Sequence, residues 1–169
     1  MGLASWWDET VVSRLIKYGC GTERIMDLRQ EVVPLARGRV FELGCGGGAN
    51  QPLYDPARIS GFSAIGPSAK LQEAAARQGW AADIRHGFGE DIPFADESFD
   101  TVVCTFTLCS VGDQARTLSE MRRILKPGGT LLYAEHGRSP DEGVARWQER
   151  IDPVWSKLMG NCHLSRPVT

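Results

Sequence analysis

The 169-residue sequence has no long hydrophobic run and no excess of basic residues. No uninterrupted apolar stretch approaches the roughly 18 residues of a membrane span, and the N-terminal MGLASWWDETVV lacks the basic and apolar regions of a signal peptide. The net charge of -2 provides no basic face for the phosphates of DNA or RNA. These absences predict a cytoplasmic protein without a transmembrane segment and without a nucleic-acid partner.

Paired cysteines are also absent. The five cysteines (Cys20, Cys45, Cys104, Cys109 and Cys162) form an odd set without a CxxC pair. A zinc site or a disulfide framework is typically marked by tighter, paired spacing. We therefore expect no metal site, and we expect packed, reduced thiols. Cys104 and Cys109 fall in or just after an apolar strand, where cysteine serves as a small hydrophobic residue.

Short apolar runs alternate with helical segments from Arg39 onwards. RVFELG, FSAIG, AADIRHG, SFDTVVC and TLLYAEHG are predicted strands, and Val144 to Leu158 is the final predicted helix. This alternation favours an α/β fold, a doubly wound and mainly parallel sheet with helices on both faces. A hydrophobic content of 42% and the short length fit one structural domain. Within it we expect an N-terminal helical lid (1–38), a core (39–160) and a C-terminal tail (161–169).

Two helices have predicted buried faces. The first lies within residues 5–37, where YGCG separates two helical segments, and the second is DQARTLSEMRRIL, which the following KPGG ends abruptly. The apolar residues that recur at helical spacing on these faces are Ile25, Leu28 and Val32 in the first case and Leu118, Met121 and Leu125 in the second.

A glycine-rich turn follows the first predicted strand. In Glu42-Leu-Gly-Cys-Gly-Gly-Gly, Gly44 makes the turn, and Gly46 and Gly48 allow a ligand to approach the backbone closely. Gly46 and Ala49 also just satisfy the dinucleotide pattern GxGxxG/A. However, the carboxylate of Glu42 would repel a pyrophosphate. It suits a cofactor that has an ammonium group, which argues against a nicotinamide-dependent reductase.

Three motifs in this order, FELGCGGG, GEDIPFADESFDTVVC and MRRILKPGGTLLYAEHG, resemble those of class I S-adenosylmethionine-dependent methyltransferases. ANQPLYDPARI, TFTLCSV, YAEHG and CHLSRP are similar to the type 11 branch, which includes quinone-type, phosphatidylethanolamine-type and methyltransferase-like thiol enzymes. The resemblance implies a Rossmann-like fold with five strands in order 3-2-1-4-5. It also implies S-adenosyl-L-methionine as the cofactor, S-adenosyl-L-homocysteine as the product, and a small-molecule or lipid-like methyl acceptor.

The resemblance assigns the cofactor site residue by residue. The methionine end would be held by Glu42, Gly44, Cys45, Gly46 and Asn50. The ribose would lie against Gly66, Pro67 and Ser68. The adenine rim would be formed by Phe88, Gly89 and Glu90. The sulfonium side would be lined by Thr105, Leu108 and Cys109.

Two acids that such sites commonly use are missing, because Gly66 stands at the ribose position and Phe88 at the adenine edge. Loss of one carboxylate predicts an affinity about 10- to 100-fold weaker. Phe88 would compensate in part by covering adenine, or it would simply belong to the core. The missing acids leave an alternative open, a non-catalytic cofactor-binding or regulatory protein with the same fold.

His136 is the candidate catalytic base, because it follows the fifth strand at the rim where an acceptor would enter. The alternative is a structural histidine that bonds a helix cap or a backbone carbonyl. His86 is expected to be structural, and no role is derived for His163. The resembling fold has seven strands, and five are predicted here. The sequence therefore predicts an open sheet edge, and either a truncated chain or a short form that forms a homodimer through this edge.

Overall fold

The structure, a computed structural model, describes residues 22–66, 73 and 82–167. The first part of the predicted lid, Cys20, Pro67 and Ser68 lie outside these residues. The described strands are β1 (Gly38–Leu43), β2 (Ile59–Gly66), β3 (Ala82–His86), β4 (Phe99–Thr105) and β5 (Leu125–Ala134). The described helices are α1 (Glu23–Val32), α2 (Gln114–Ile124) and α3 (Glu142–Leu158), and short 3-10 turns span Val33–Leu35 and Gln51–Leu53.

The five strands form one parallel sheet in the order β3-β2-β1-β4-β5. The predicted fold class and strand order are confirmed. β1 lies at the centre, with Glu42 opposite Ala64 of β2 and Val103 of β4. Because all strands run in the same direction, their carboxyl ends meet along one edge, where open α/β sheets bind ligands.

The central strands are apolar on both faces, as parallel strands covered by helices must be. Phe41 and Val102 belong to an apolar cluster on one face together with Met121 of α2. Val40 and Val103, which point to the other face, pack with Val33 in a second cluster. Glu42 is the polar exception in β1, since it is only 2% exposed in the middle of this apolar sheet. A carboxyl group at such a place requires hydrogen-bond partners.

α1 is buried through a residue that its apolar periodicity did not indicate. Leu28 was predicted on the buried face and is 44% exposed, whereas the neighbouring Arg29 is buried. Burial of a guanidinium is unfavourable unless it is paired, so polar partners must hold Arg29 inside. This helix therefore faces a polar site, and the prediction of an apolar face through Leu28 was wrong.

α2 and β5 also differ from their predicted bounds. The buried face of α2 contains Thr117, Met121 and Ile124, whereas the predicted Leu118 is 44% exposed. The KPGG sequence does not lie between helix and strand, because β5 begins at Leu125 directly after the helix. The β4–β5 register shifts there, and Gly128 has a φ of +76°, so KPGG forms an irregularity within the strand.

β5 has one hydrogen-bonded strand neighbour among the described residues and forms an edge of the sheet. Tyr133 on this strand is 55% exposed. A homodimer through this edge stays a prediction. None of the described helices combines the length and the apolar character needed to cross a membrane.

Candidate functional site

The glycine-rich turn after β1 has the backbone that its sequence requires. Gly44 has a φ of +71°, and a Cβ at this position would collide with the side chain of Thr107. The amide N–H groups of Gly44 and Cys45 donate to the carbonyl of Ile65, with N···O distances of 2.9 and 3.2 Å. Gly46 also has a positive φ, and a Cβ at this position would meet only the carbonyl oxygen of Gly44, at 3.9 Å. The turn is therefore fixed to β2 and leaves room for a ligand next to Gly46.

A buried polar network lies beside this turn. Asn50 Nδ2 donates to Glu42 Oε1 and to Thr105 Oγ1, both at 2.9 Å, and Tyr54 Oη donates to Glu42 Oε2 at 2.9 Å. From α1, Arg29 Nη1 donates to Asn50 Oδ1 and to Thr105 Oγ1, each at 2.6 Å. These five side chains connect α1, β1, β4 and the segment after the glycine turn. The predicted residues Glu42, Asn50 and Thr105 are thus brought together.

The network contains the carboxyl group of Glu42 and the guanidinium group of Arg29, and each can form a further hydrogen bond. Burial raises the pKa of Glu42 from 4.5 to about 7, although Tyr54, Arg29 and Asn50 each act to lower it. Arg29 Nε is buried and lacks a hydrogen-bond partner among the described residues. Each carboxylate oxygen of Glu42 has capacity for a further hydrogen bond. An acceptor, the carboxylate of Glu42, and a donor, Nε of Arg29, are therefore available to a ligand.

A cavity of about 690 Å³ opens at the carboxyl ends of the strands on the other side of the glycine turn. Its walls include five of the predicted cofactor residues, namely Gly44, Gly66, Phe88, Gly89 and Glu90. Gly89 packs closely on Thr117 of α2. Phe88 is 58% exposed, so the alternative that it belongs to the core is wrong.

Glu90 has a structural contact that the sequence did not predict. Its Oε1 accepts the amide N–H groups of Gly112 and Asp113 at 2.6 and 2.9 Å, and its carbonyl accepts Nε of Arg116 at 2.7 Å. Asp113 in turn caps α2 by accepting the N–H of Arg116. Glu90 therefore holds the loop between β4 and α2 against the cavity.

The residues predicted on the sulfonium side do not share one environment. Thr105 belongs to the buried polar network, whereas Leu108 packs into the apolar cluster with Phe41. Cys109 lies near His136 and Cys162. Glu135 holds this loop, since its Oε1 accepts the N–H groups of residues 107 and 108 at 2.6 and 2.9 Å. Among Thr105, Leu108 and Cys109, Leu108 is thus the one that belongs to the apolar core.

Comparison with known proteins decides the family. Residues 41–133 match the model of a methyltransferase domain, type 11, which covers more than half of the chain. The chain belongs to this methyltransferase family. It is 36% identical over 137 residues to thiol S-methyltransferase TMT1B of Rattus norvegicus, a match over 75% of this chain and 54% of the relative. It is 34% identical over 155 residues to thiol S-methyltransferase TMT1A of Homo sapiens, over 85% of this chain and 62% of the relative.

A solved structure supports the same assignment. A SAM-dependent methyltransferase from Thermotoga maritima has 28% sequence identity and a TM-score of 0.65, over 96% of this chain and 69% of that protein. The predicted methyltransferase class and its cofactor, S-adenosylmethionine, are confirmed for the domain. The chain spans a little over half the length of the curated relatives that it matches, such as the rat protein. The reaction of the whole protein and its acceptor are therefore matters for proposal.

Two thiol groups and one imidazole group of the chain lie close together. Ligand atoms of Cys109, His136 and Cys162 all lie within 4.8 Å of one another, and Cys162 Sγ is 3.3 Å from His136 Nε2. Hydrogen bonds from Cys109 and His136 lower the pKa of Cys162 to about 4, whereas the pKa of Cys109 is raised. Cys162 in turn raises the pKa of His136. His136, the predicted base, is therefore hydrogen-bonded to the sulfur of Cys162.

The other two histidines lie apart from this group. His86 is exposed at the end of β3, with its ring 5.6 Å from that of Phe88. His163 Nδ1 is 2.7 Å from Asp152 Oδ2 of α3, and Oδ1 of the same carboxylate accepts the N–H of Leu164. This pair fixes the segment that follows α3.

Phe106 connects the buried network to the thiol and imidazole groups. The guanidinium of Arg29 lies 5.1 Å from the centre of its ring, and the ring stacks on His136 with 6.4 Å between centroids and 22° between planes. Phe106 has a φ of +52°, a conformation that is strained for a bulky side chain and is concentrated at functional sites.

Arg29, Tyr54 and Phe106 were missed by sequence reasoning. Arg29 occurs in a helix with several charged residues, so no local pattern separated it from solvent-facing arginines. Tyr54 follows a short turn with a proline, and its partner Glu42 is 12 positions away in sequence. The motif around Glu42 was a usable signal, since a buried acid implies partners, but it does not identify them.

Proposed function

We propose that this chain transfers the methyl group of S-adenosylmethionine to the sulfur of a small-molecule thiol. The family assignment supports the methyl donor, and the two thiol S-methyltransferases among its relatives support a sulfur acceptor. All the relatives reported above are described as methyltransferases, so the comparisons give no support to the non-catalytic alternative. The observation that best supports cofactor binding is the buried network around Glu42.

That network matches the two charges of an amino-acid group. Glu42 would accept the ammonium of the methionine end, and the unpartnered Nε of Arg29 would donate to its carboxylate. Asn50 lies between these two side chains and is bonded to both, which fixes their separation. The absence of a side chain at Gly46 allows close approach of the ligand to the backbone. These residues fit S-adenosylmethionine, and they do not fit a pyrophosphate.

The cavity at the ends of β1, β2 and β4 would hold the adenosine part. Phe88 would offer an apolar ring to adenine, and Gly66 would lie by the ribose without an acid to bind its hydroxyl groups. The contributions of Gly89 and Glu90 would be to shape the wall, since Glu90 already anchors the loop before α2. We expect cofactor affinity that relies mainly on the methionine end.

Transfer of a methyl group from a sulfonium is an in-line displacement, which requires a positioned nucleophile. An alkyl thiol with a pKa of about 8.5 is mostly protonated at neutral pH, so the site must favour the thiolate. His136 was predicted as the base for this step, and this role stays a prediction. Its Nε2 faces Cys162, so any proton transfer at this atom involves the thiol of Cys162.

The acceptor class can be tested with a radiolabelled methyl donor and matched acceptors. We expect label to appear in an alkyl thiol and not in the alcohol of the same carbon skeleton. A quinol, an amine and vesicles with phosphatidylethanolamine test the other acceptor types of the family. Transfer to one of these and not to thiols would contradict a sulfur acceptor. Cofactor binding without transfer to any acceptor would favour the non-catalytic alternative.

Gly66→Asp should tighten the binding of S-adenosylmethionine about tenfold, because an added carboxylate would accept hydrogen bonds from the ribose hydroxyls. A Cβ at this position would lie 3.7 Å from Cys45 Sγ, an ordinary contact, so the substitution is sterically tolerated. Calorimetric titration measures the change, and Gly66→Asn is the uncharged control. Equal affinity of Gly66→Asp and the original chain would show that Gly66 does not contact the ribose.

A further inference from the structure

We propose that Cys109, His136 and Cys162 form a zinc site, and that its open coordination position takes the thiolate of the acceptor. The three ligand atoms lie within 4.8 Å of one another. Tetrahedral zinc with bonds of about 2.0 to 2.3 Å places its ligand atoms roughly 3.3 to 3.8 Å apart. Small rotations of these side chains would therefore close the site around an ion. The sequence-based expectation of no metal site is replaced by this proposal.

The chemistry of the three side chains favours zinc over Mg²⁺ and Ca²⁺. Two thiols and one imidazole are soft or borderline ligands, which Mg²⁺ and Ca²⁺ do not favour. Three protein ligands with a fourth position open are typical of catalytic zinc, whereas structural zinc has four. The described residues place no fourth histidine, cysteine or carboxylate within this group. The ligand count therefore indicates a site that binds an exogenous ligand.

Hydrogen bonds hold the segment of Cys162 against the loop of Cys109. His163 donates its N–H to the carbonyl of Cys109 at 2.9 Å, which joins the segment after α3 to the loop after β4. Asn161 Nδ2 donates to the carbonyl of Ser110 at 2.9 Å, and Arg166 Nη1 donates to that of Leu108 at 3.1 Å. The segment that contains Cys162 is thus fixed against Cys109. Such preorganisation favours metal binding over a chance encounter of three side chains.

The position of the group connects it with the methyl donor. His136 and Cys109 follow β5 and β4 at the edge of the sheet where ligands bind. Phe106 stacks on His136 and also contacts Arg29, the residue proposed to bind the methionine carboxylate. A thiol bound at this group would lie near the end of the cofactor that has the reactive methyl. This second half of the proposal rests on the proposed function.

A thiol acceptor would react as a thiolate bound to zinc. His136 then acts as a zinc ligand and not as the predicted base, because the acceptor binds zinc through sulfur and releases its S–H proton to solvent, which leaves a thiolate at neutral pH. Its sulfur lone pair forms a bond to the methyl carbon while the bond from that carbon to the sulfonium sulfur breaks. The electron pair of the broken bond stays on S-adenosylhomocysteine. The methylated product is a neutral thioether, a weaker zinc ligand than a thiolate, and so dissociates.

Zinc binding can be measured without the methyl donor. The full chain is purified with tris(2-carboxyethyl)phosphine as reductant, incubated with Zn²⁺, desalted and analysed for metal by mass spectrometry. We expect one zinc per chain, and Co²⁺ in its place should give a thiolate-to-cobalt charge-transfer band. Cys162→Ser and His136→Gln should lose the metal, and Cys162→His should retain it. The matched controls Cys104→Ala and His86→Gln, which alter residues outside the group, should keep full occupancy.

The outcomes separate the metal site from the proposed reaction. A chain without zinc, or equal zinc in Cys162→Ser and the original chain, would overturn the site even if thiols are methylated. Addition of 2-mercaptoethanol to the Co²⁺ form should change the charge-transfer band, whereas ethylene glycol should not. An unchanged band would overturn coordination of the acceptor. Zinc binding with both band results as expected, but without methylation of thiols, would contradict the proposed function and leave the metal site established.

Discussion

Glu42→Gln should weaken the binding of S-adenosylmethionine about 100-fold at about pH 8, because it removes the anion proposed to accept the ammonium. Glutamine has nearly the same shape as glutamate and keeps partners for Asn50 and Tyr54, so the network should remain folded. Calorimetric titration of both chains measures the difference. Glu135→Gln is the matched control, because this partly buried acid contacts the loop after β4 and not the network.

The same variant should remove a pH dependence. Glu42 has a raised pKa of about 7, so its carboxyl is neutral at lower pH and ionised above. Because the ammonium needs the ionised form, affinity should fall about tenfold from about pH 8 to about pH 6 in the original chain. Glu42→Gln should lack this decrease. A pH profile that is identical in both chains would contradict the assignment of the ammonium to Glu42.

Glu42 also affects stability in the absence of ligand. Since its pKa is raised on folding, the folded chain retains a proton that the unfolded chain releases between pH 4.5 and about 7. Its contribution to the free energy of unfolding is therefore fully present below this window and is lost as the pH rises through it. Comparison of the two chains by denaturant unfolding separates this contribution from those of other groups.

Arg29→Met should weaken the binding of S-adenosylmethionine by about 10- to 100-fold, because charge-assisted hydrogen bonds to the carboxylate are lost. Methionine keeps part of the buried volume and the contact with Phe106. Arg24→Met is the matched control, since Arg24 lies on the same helix and is exposed. We expect the control to bind the cofactor like the original chain.

Truncated ligands separate the effects of Arg29 and Glu42. Decarboxylated S-adenosylmethionine retains the ammonium, so its affinity at about pH 8 should fall much more with Glu42→Gln than with Arg29→Met, which acts on the ammonium only through the pKa of Glu42. 5′-Methylthioadenosine lacks both charged groups, and neither variant should change its affinity. An equal loss of affinity for all three ligands in Arg29→Met would indicate a general disturbance of the fold and would contradict a specific contact.

The sheet and the glycine turn could be predicted because their determinants are local. Alternating apolar strands and helices require parallel pairing, and the turn at Gly44 needs a positive φ that glycine adopts freely. Glu42 could be recognised because burial of an acid in an apolar strand is unfavourable unless the acid has polar partners. The family motifs added the strand order, which local patterns do not determine.

The rest of the site depends on contacts between distant parts of the chain. Arg29 and Thr105 are separated by 76 positions, so no spacing in the sequence associates them. Cys109, His136 and Cys162 come from three different segments, and the rule that metal sites show paired cysteines does not apply to such a group. Leu28 and Leu118 are exposed for the same reason. Contacts with distant parts of the chain bury the neighbouring residues Arg29 and Thr117 in their place.

Titration of the chain with S-adenosylmethionine in a calorimeter tests the central claim most directly. We expect saturable binding with one cofactor per chain, and weaker binding of 5′-methylthioadenosine, because the methionine end supplies the proposed contacts with Glu42 and Arg29. No heat at millimolar cofactor, or equal affinity for both ligands, would contradict it.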